Sequence, residues 1–183
     1  MALVKKGCTD SEIAKFYGVS RITISRRKRK FGVCNNSIRL ELLPNNLTDL
    51  QSEIVCGLLL GDGSIGRKKT LGSNCRFGFG QKHKNKEYVE HIYNILLPFS
   101  RPVYPTVRIL RNKKHKGFQF STTSHPIFTY LQSKWYTGKQ KIVPSDLKLT
   151  WQTVAYWYMD DGCNHQKHRK KTITLATDCF TKK

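Results

Sequence analysis

Val55-Cys-Gly-Leu-Leu-Leu-Gly-Asp62-Gly63 and Val154-Ala-Tyr-Trp-Tyr-Met-Asp-Asp161-Gly162 are one phrase said twice in the same chain. Each is a short apolar run of helical composition that ends in an acid followed by a glycine. A glycine just past the last turn lets a helix stop in a left-handed conformation, so each phrase predicts a helix with a carboxylate at its C-terminus. The helix dipole places negative charge there, and an aspartate is unfavourable by a few tenths to ~1 kcal/mol unless a cation lies beside it. Two such helices packed side by side bring Asp62 and Asp161 together, where a divalent metal would relieve their repulsion.

The composition sets the partner class. A chain of 183 residues holds one full domain plus a small appendage, and 38% hydrophobic content with 6 prolines argues for a folded core. A formal net charge of +21 is the footprint of a polyanion binder, because lysines and arginines placed on phosphates release condensed counterions. The longest apolar run, Ile54 to Leu60, falls far short of the ~20 residues that span a bilayer. The first residues carry no apolar signal segment, so a soluble intracellular protein is expected. The 6 cysteines are scattered without a Cys-x-x-Cys pair, so neither a zinc site nor a disulfide framework is indicated. Cys56 reads as a small buried hydrophobe, and His165 and His168 lie in a basic run that reads as a solvated loop.

Residues 1–32 form a distinct unit. Thr9 or Asp10 can cap a helix over Ser11 to Tyr17 that Gly18 ends, and Ser20 caps a second over Arg21 to Lys30. Ala14 at the helix contact, Gly18 in the turn and Ile24 beneath the second helix fill the positions of a helix-turn-helix corner. Arg21, Thr23 and Ser25 are then candidates for base edges, and Arg26, Arg27 and the basic residues to Lys30 for phosphates. Residues 33–47 read as a linker. Thr48-Asp-Leu-Gln51 is a capping box that opens the first motif helix, Asp49 to Gly61.

Beyond Gly63 a basic turn, Arg67 to Thr70, leads to Arg76 to Lys82, which alternates as a strand with Phe77 and Phe79 on its core face. Lys86 to Leu97 has helical spacing and ends at Pro98. Thr106 to Leu110 and Phe118 to Thr123 alternate again, joined by a hairpin with a basic tip, and Pro126 to Tyr136 returns to helix. Helices on one face of such a sheet leave the other open. Arg76, Arg108, Gln119, Ser121 and Thr123 fall on that open face, a set suited to the major groove of DNA.

In these residues the chain resembles the LAGLIDADG homing endonucleases, in particular the intron-encoded branch with two motifs in one chain. The resemblance runs from about Leu47 to the end. It rests on Gly57-Leu-Leu-Leu-Gly-Asp-Gly63, Phe79-Gly-Gln-Lys-His-Lys-Asn-Lys-Glu-Tyr88, Phe120-Ser-Thr-Thr-Ser, Lys141-Ile-Val-Pro144 and Ala155-Tyr-Trp-Tyr-Met-Asp-Asp-Gly162, in that order. It implies an α+β fold whose αββαββα repeats form a saddle over double-stranded DNA, with residues 48–149 as a first repeat and 150–183 as the start of a second. It also implies that Asp62 and Asp161 bind a divalent metal, magnesium above others, at the two scissile phosphates. Gln81 or Lys82 stands where the family places a polar residue that organises water, and Lys139 or Lys141 where it places a basic residue near phosphate. Gly57 and Gly61 fit the close approach of the two motif helices. In the second motif Tyr156 and Asp160 replace the small residues, so the contact is expected to be asymmetric.

After Asp161 the sequence reads as a basic turn and one strand, Thr172 to Ala176, and so looks like a fragment or a truncated gene. Self-association of this chain would then supply missing surface that a full-length monomer carries itself. The expected function is a site-specific homing-type DNA endonuclease. Its rivals are an RNA-binding intron maturase using the same basic saddle, and a DNA-binding regulator with a decayed nuclease. The fused helix-turn-helix favours a bacterial or phage cytoplasm over an organelle.

Overall fold

The computed structural model describes residues 8–31, 43–66, 73–167 and 170–177. The chain forms two compact units, Met1–Asn45 and Asn46–Lys183. In the first, α1 (Asp10–Phe16) and α2 (Arg21–Lys30) make a helical pair. Thr9 starts α1 with a capping box: its hydroxyl accepts the Glu12 N–H at 3.2 Å, and the Glu12 carboxylate accepts the Thr9 N–H at 2.6 Å. Gly18 turns the chain at φ +61°, a left-handed conformation that a side chain would strain. Ile13, Ala14 and Ile24 form the small core, with Cys8 and Val19 against it.

One expected phosphate contact is redirected. Lys28 is buried and its ammonium lies 2.6 Å from the Asp10 carboxylate, so it ties α2 to α1 rather than facing outward. The basic run hides this because α2 turns one residue in three or four toward its neighbour.

The second unit is built on α3 (Asp49–Leu60), β1 (Ser64–Ile65), β2 (Phe77–Lys82), α4 (Lys86–Ile95), β3 (Tyr104–Leu110), β4 (Lys113–Ser121) and α5 (Pro126–Trp135), in the order αββαββα. Thr48 and Gln51 form the expected capping box at the start of α3. The Gln51 amide also donates to the carbonyls of Ile95 and Leu97, at 2.7 and 3.2 Å, anchoring α3 to the end of α4. The four strands are antiparallel in the order β1-β2-β4-β3. Phe77, Phe79 and Phe120 project from one face of this sheet into a core shared with Ile54, Leu58, Val89, Ile92, Phe99 and Phe128, all fully buried. Beyond α5 come the short pair β5 (Tyr136–Thr137) and β6 (Gln140–Lys141), then α6 (Trp151–Asp161), β7 (Gly162–Lys167) and β8 (Lys170–Leu175).

Two sequence expectations are corrected here. The β3–β4 hairpin turns at Arg111 and Asn112, with φ of 48° and 60°, so Lys113 to Lys116 are strand and not loop tip. Positive φ at both central residues is the two-residue turn whose twist matches paired strands, and those lysines pair with β3 without burying anything. Among the described residues two strands, not one, follow Asp161. Gly162–Lys167 is polar throughout, with no alternation to betray it, and is held by backbone pairing to β8. His165 therefore sits in a strand. His168, most of the linker at 33–47 and the basic turn at 67–70 lie outside the described residues. Among the described residues no helix is long and apolar enough to cross a membrane.

Candidate functional site

The two motif helices, α3 and α6, pack against each other through backbone-close contacts. Thr150 caps α6 by accepting the Thr153 N–H at 3.2 Å. The buried Thr153 hydroxyl in turn donates to the Glu53 carbonyl of α3 at 3.2 Å. A Cβ at Gly57 would stand 2.5 Å from the Thr153 carbonyl oxygen, and one at Gly61 would stand 2.5 Å from the Asp160 Cβ. The contact is asymmetric as expected, glycine on one helix against larger groups on the other.

The glycines after the acids work differently from the expectation. Neither Gly63 nor Gly162 is left-handed; Gly162 has φ −80°. Space is what excludes a side chain, since a Cβ would fall 2.7 Å from the Leu58 oxygen at Gly63 and 2.3 Å from the Tyr158 oxygen at Gly162.

Asp62 emerges exposed just beyond α3, and Asp161 is the last residue of α6. Between them stands a third acid, Asp160, which sequence reasoning treated only as a lost small residue. Its carboxylate accepts the Asp62 backbone N–H at 3.2 Å. Gln81 reaches both acids, donating to Asp62 at 2.6 Å and approaching Asp160 at 3.4 Å. Asn85 donates to the Gln81 oxygen at 3.3 Å, which fixes the direction of that amide. Burial, with Asp62 and Asp161 nearby, pushes the Asp160 carboxyl up to about 7, against the lowering effects of the Asp62 N–H and the neighbouring Tyr88 hydroxyl. Burial and the Asp62 charge also raise Asp161, while Lys141 opposes the shift.

Lys141 provides the cation that an acid at a helix C-terminus requires. From β6 its ammonium donates to the carbonyls of Gly61 and Gly63, at 3.1 and 2.9 Å, at the end of α3. Lys139 lies exposed beside Gly138 in the β5–β6 turn, and among the described residues no hydrogen bond or ion pair brings it to the acids. Of Gln81 and Lys82, the structure brings Gln81 to the acids. Strand alternation sends Lys82 to the opposite face.

That opposite face is the uncovered side of the sheet. Across it Gly80 pairs with Gln119 and Gln119 with Tyr104; Lys82 pairs with Gly117 and Gly117 with Thr106; Arg108 pairs with His115. Ser121 shares the face, opposite Gly78, and Arg76 and Thr123 lie just beyond the strand ends. A cleft of about 250 Å³ runs over it from Asp62 past Lys82, Gln119, Arg108 and His115. In the N-terminal unit Arg21, Arg26 and Arg27 are exposed, Ser25 is half-buried, and the Thr23 hydroxyl lies 2.8 Å from that of Ser20.

The donor set suits a hard cation. Among the described residues no three metal-binding side chains converge into a cage. Two carboxylates, Asp62 exposed on the cleft and Asp161 half-buried, match how magnesium is held, through one or two carboxylates with substrate phosphates and water. Burial is the first cause that raises the Asp160 and Asp161 carboxyls, and the Asp62 charge adds to both.

The model of a family described as the LAGLIDADG DNA endonuclease family matches residues 52–183. DNA endonuclease I-ChuI of Chlamydomonas applanata is 30% identical over 149 residues, covering 74% of this chain and 68% of that protein. Cytochrome b mRNA maturase bI2 of Saccharomyces cerevisiae is 30% identical over 172 residues, covering 85% of this chain but only 40% of its own length. Among solved structures, the homing endonuclease I-WcaI bound to its DNA recognition sequence matches with a TM-score of 0.64 and 28% identity, covering 81% of this chain and 73% of that one.

Proposed function

The chain belongs to the LAGLIDADG DNA endonuclease family, and from that membership we propose that it is a site-specific DNA endonuclease that hydrolyses phosphodiester bonds in both strands of its target. The observation that carries this reading is the pair of motif acids, Asp62 and Asp161, at the adjoining C-termini of two packed helices. A divalent cation, magnesium above others, held by these two carboxylates would activate a water and stabilise charge on the leaving oxygen. The chain's own groups divide the remaining work. Gln81, its amide fixed by Asn85, orients Asp62 and offers the nearest polar group to a water at that carboxylate. Lys141 holds the turn that carries Asp62.

Arg108, Gln119, Ser121 and Lys82, with Arg76 and Thr123 at the margins, face the duplex from the uncovered side of the sheet. Phosphate contacts there set register and base-edge contacts set the sequence. Residues 1–32 act as a second DNA contact through Arg21, Ser25, Arg26 and Arg27. The test is cleavage of a randomised duplex library in magnesium. Asp62→Asn is expected to keep DNA binding and lose cleavage; undiminished cleavage by that variant would refute the assignment. The likeness to maturase bI2 supports a second reading, intron RNA binding on the same basic surface. Tighter binding to an intron RNA than to duplex DNA at equal salt would select it.

A further inference from the structure

We propose that Asp160 is a positioning residue that makes the two halves of the acidic centre unequal, setting the Asp62 half through Gln81 while Gly61, its equivalent in the first motif, carries no carboxylate to set the Asp161 half. The inference rests on the nuclease reading above. Both oxygens of the Asp160 carboxylate act on Asp62. One accepts the Asp62 backbone N–H at 3.2 Å. The other lies 3.4 Å from the Gln81 nitrogen that donates to the Asp62 carboxylate at 2.6 Å. Gln81 is thus gripped at both ends, by Asn85 on its oxygen and by the two acids on its nitrogen.

The opposing position in the first motif cannot return the favour. It is Gly61, and the Asp160 side chain occupies the space where a Gly61 Cβ would stand, 2.5 Å from its own Cβ. Asp161 is influenced by the charges of Asp62 and Lys141, but among the described residues no amide donates to its carboxylate. Asp160 touches neither phosphate nor water in this scheme and acts only by holding Asp62 and Gln81. Removing such a supporting partner behind a metal-binding carboxylate typically costs about 10- to 100-fold in affinity or activity. Here the loss should fall on one strand.

The experiment follows each strand separately, with a 5′ label on one or the other, in the intact protein and its Asp160→Ala, Asp160→Asn, Gln81→Ala and Asp160→Ala/Gln81→Ala variants. Asp160→Ala is expected to slow one strand about 10- to 100-fold more than the other, so that nicked DNA accumulates. Gln81→Ala should slow the same strand, and the double variant should be no slower than the worse single, because the two residues act as a unit. Asp160→Asn keeps one acceptor oxygen and should fall between. Equal slowing of both strands, or opposite strands slowed by the two single variants, overturns the proposal. A second readout needs no cleavage. In metal-free proton–nitrogen spectra, the Gln81 side-chain amide and the Asp62 backbone amide should move in Asp160→Ala, and resonances of both left in place overturn the proposal as well. If the unaltered protein cuts no DNA, the nuclease reading fails, and these resonances alone decide whether Asp160 positions the pair.

Discussion

Gly57→Ala tests whether α3 and α6 meet as closely as described. The added methyl would sit 2.5 Å from the Thr153 carbonyl oxygen and 3.0 Å from the Tyr156 Cβ. Ordinary carbon-to-oxygen approach is about 3.3–3.6 Å, so the helices must part by about 1 Å. The obstructing atom is backbone and cannot rotate away. A gap of that size forfeits about a quarter to a half of the dispersion attraction at each contact along the seam. Overpacking of a well-filled site costs about 1–3 kcal/mol, and this one belongs at the upper end. Alanine's better helix propensity returns about 1 kcal/mol, leaving a net loss of about 1–2 kcal/mol. The assay is urea unfolding followed by tryptophan fluorescence. All 3 tryptophans, Trp135, Trp151 and Trp157, lie in the unit from Asn46 onward, so the signal reports that unit. With a urea slope of about 2 kcal/mol/M the midpoint should fall by roughly 0.5–1 M. A midpoint that stays put or rises would mean that propensity wins, and that the helices do not touch at Gly57.

Further outcomes follow from the buried polar groups. His125 is 3% exposed, and its ring Nδ1 accepts the Ile127 N–H at the start of α5. Burial lowers its pKa, so the neutral ring is the stabilising form: its contribution is complete above the unfolded value of about 6.5 and is lost as pH falls through the lower folded value. The urea midpoint should therefore drop between pH 7 and pH 5, and less so in His125→Asn, which keeps a capping oxygen without titrating; equal slopes in the two proteins would contradict this. Lys141→Met should lower stability by about 1–3 kcal/mol in the same assay by leaving two helix-end carbonyls without their ammonium. It should also move the acidic limb of the cleavage–pH profile upward, because Lys141 opposes the rise in the Asp161 pKa; an unmoved limb would detach Lys141 from the acids.

The fold was legible wherever side-chain periodicity and burial coincide. Phe77 and Phe79 alternate into the core, Thr48 and Gln51 cap as a pair, and the repeated motif announces two helices that pack together. What stayed hidden is held by backbone or by single contacts. Gly162–Lys167 carries no apolar alternation, and Lys113 to Lys116 look like a loop because their charge says nothing about strand pairing. Lys28 reads as one more basic residue until Asp10 is seen beneath it. Asp160 is the most instructive omission. Next to a motif acid it reads as a substitution for a small residue, and only the empty Cβ position of Gly61 on the other helix shows that the space was made for it. A signal did exist in the doubled acid before Gly162, two carboxylates where the first motif has one.

The match between Gly61 and Asp160 also decides which helix can recognise which. Were two copies of α3 to meet in the same manner, glycine would oppose glycine at both crossings and leave unfilled space between the backbones. Two copies of α6 would set one Asp160 carboxylate against another, with Tyr156 crowding its own image. Each helix thus fits its unlike neighbour better than itself. The two helices fit as a lock and its key, and that preference for the unlike partner is written at two positions of a single seam.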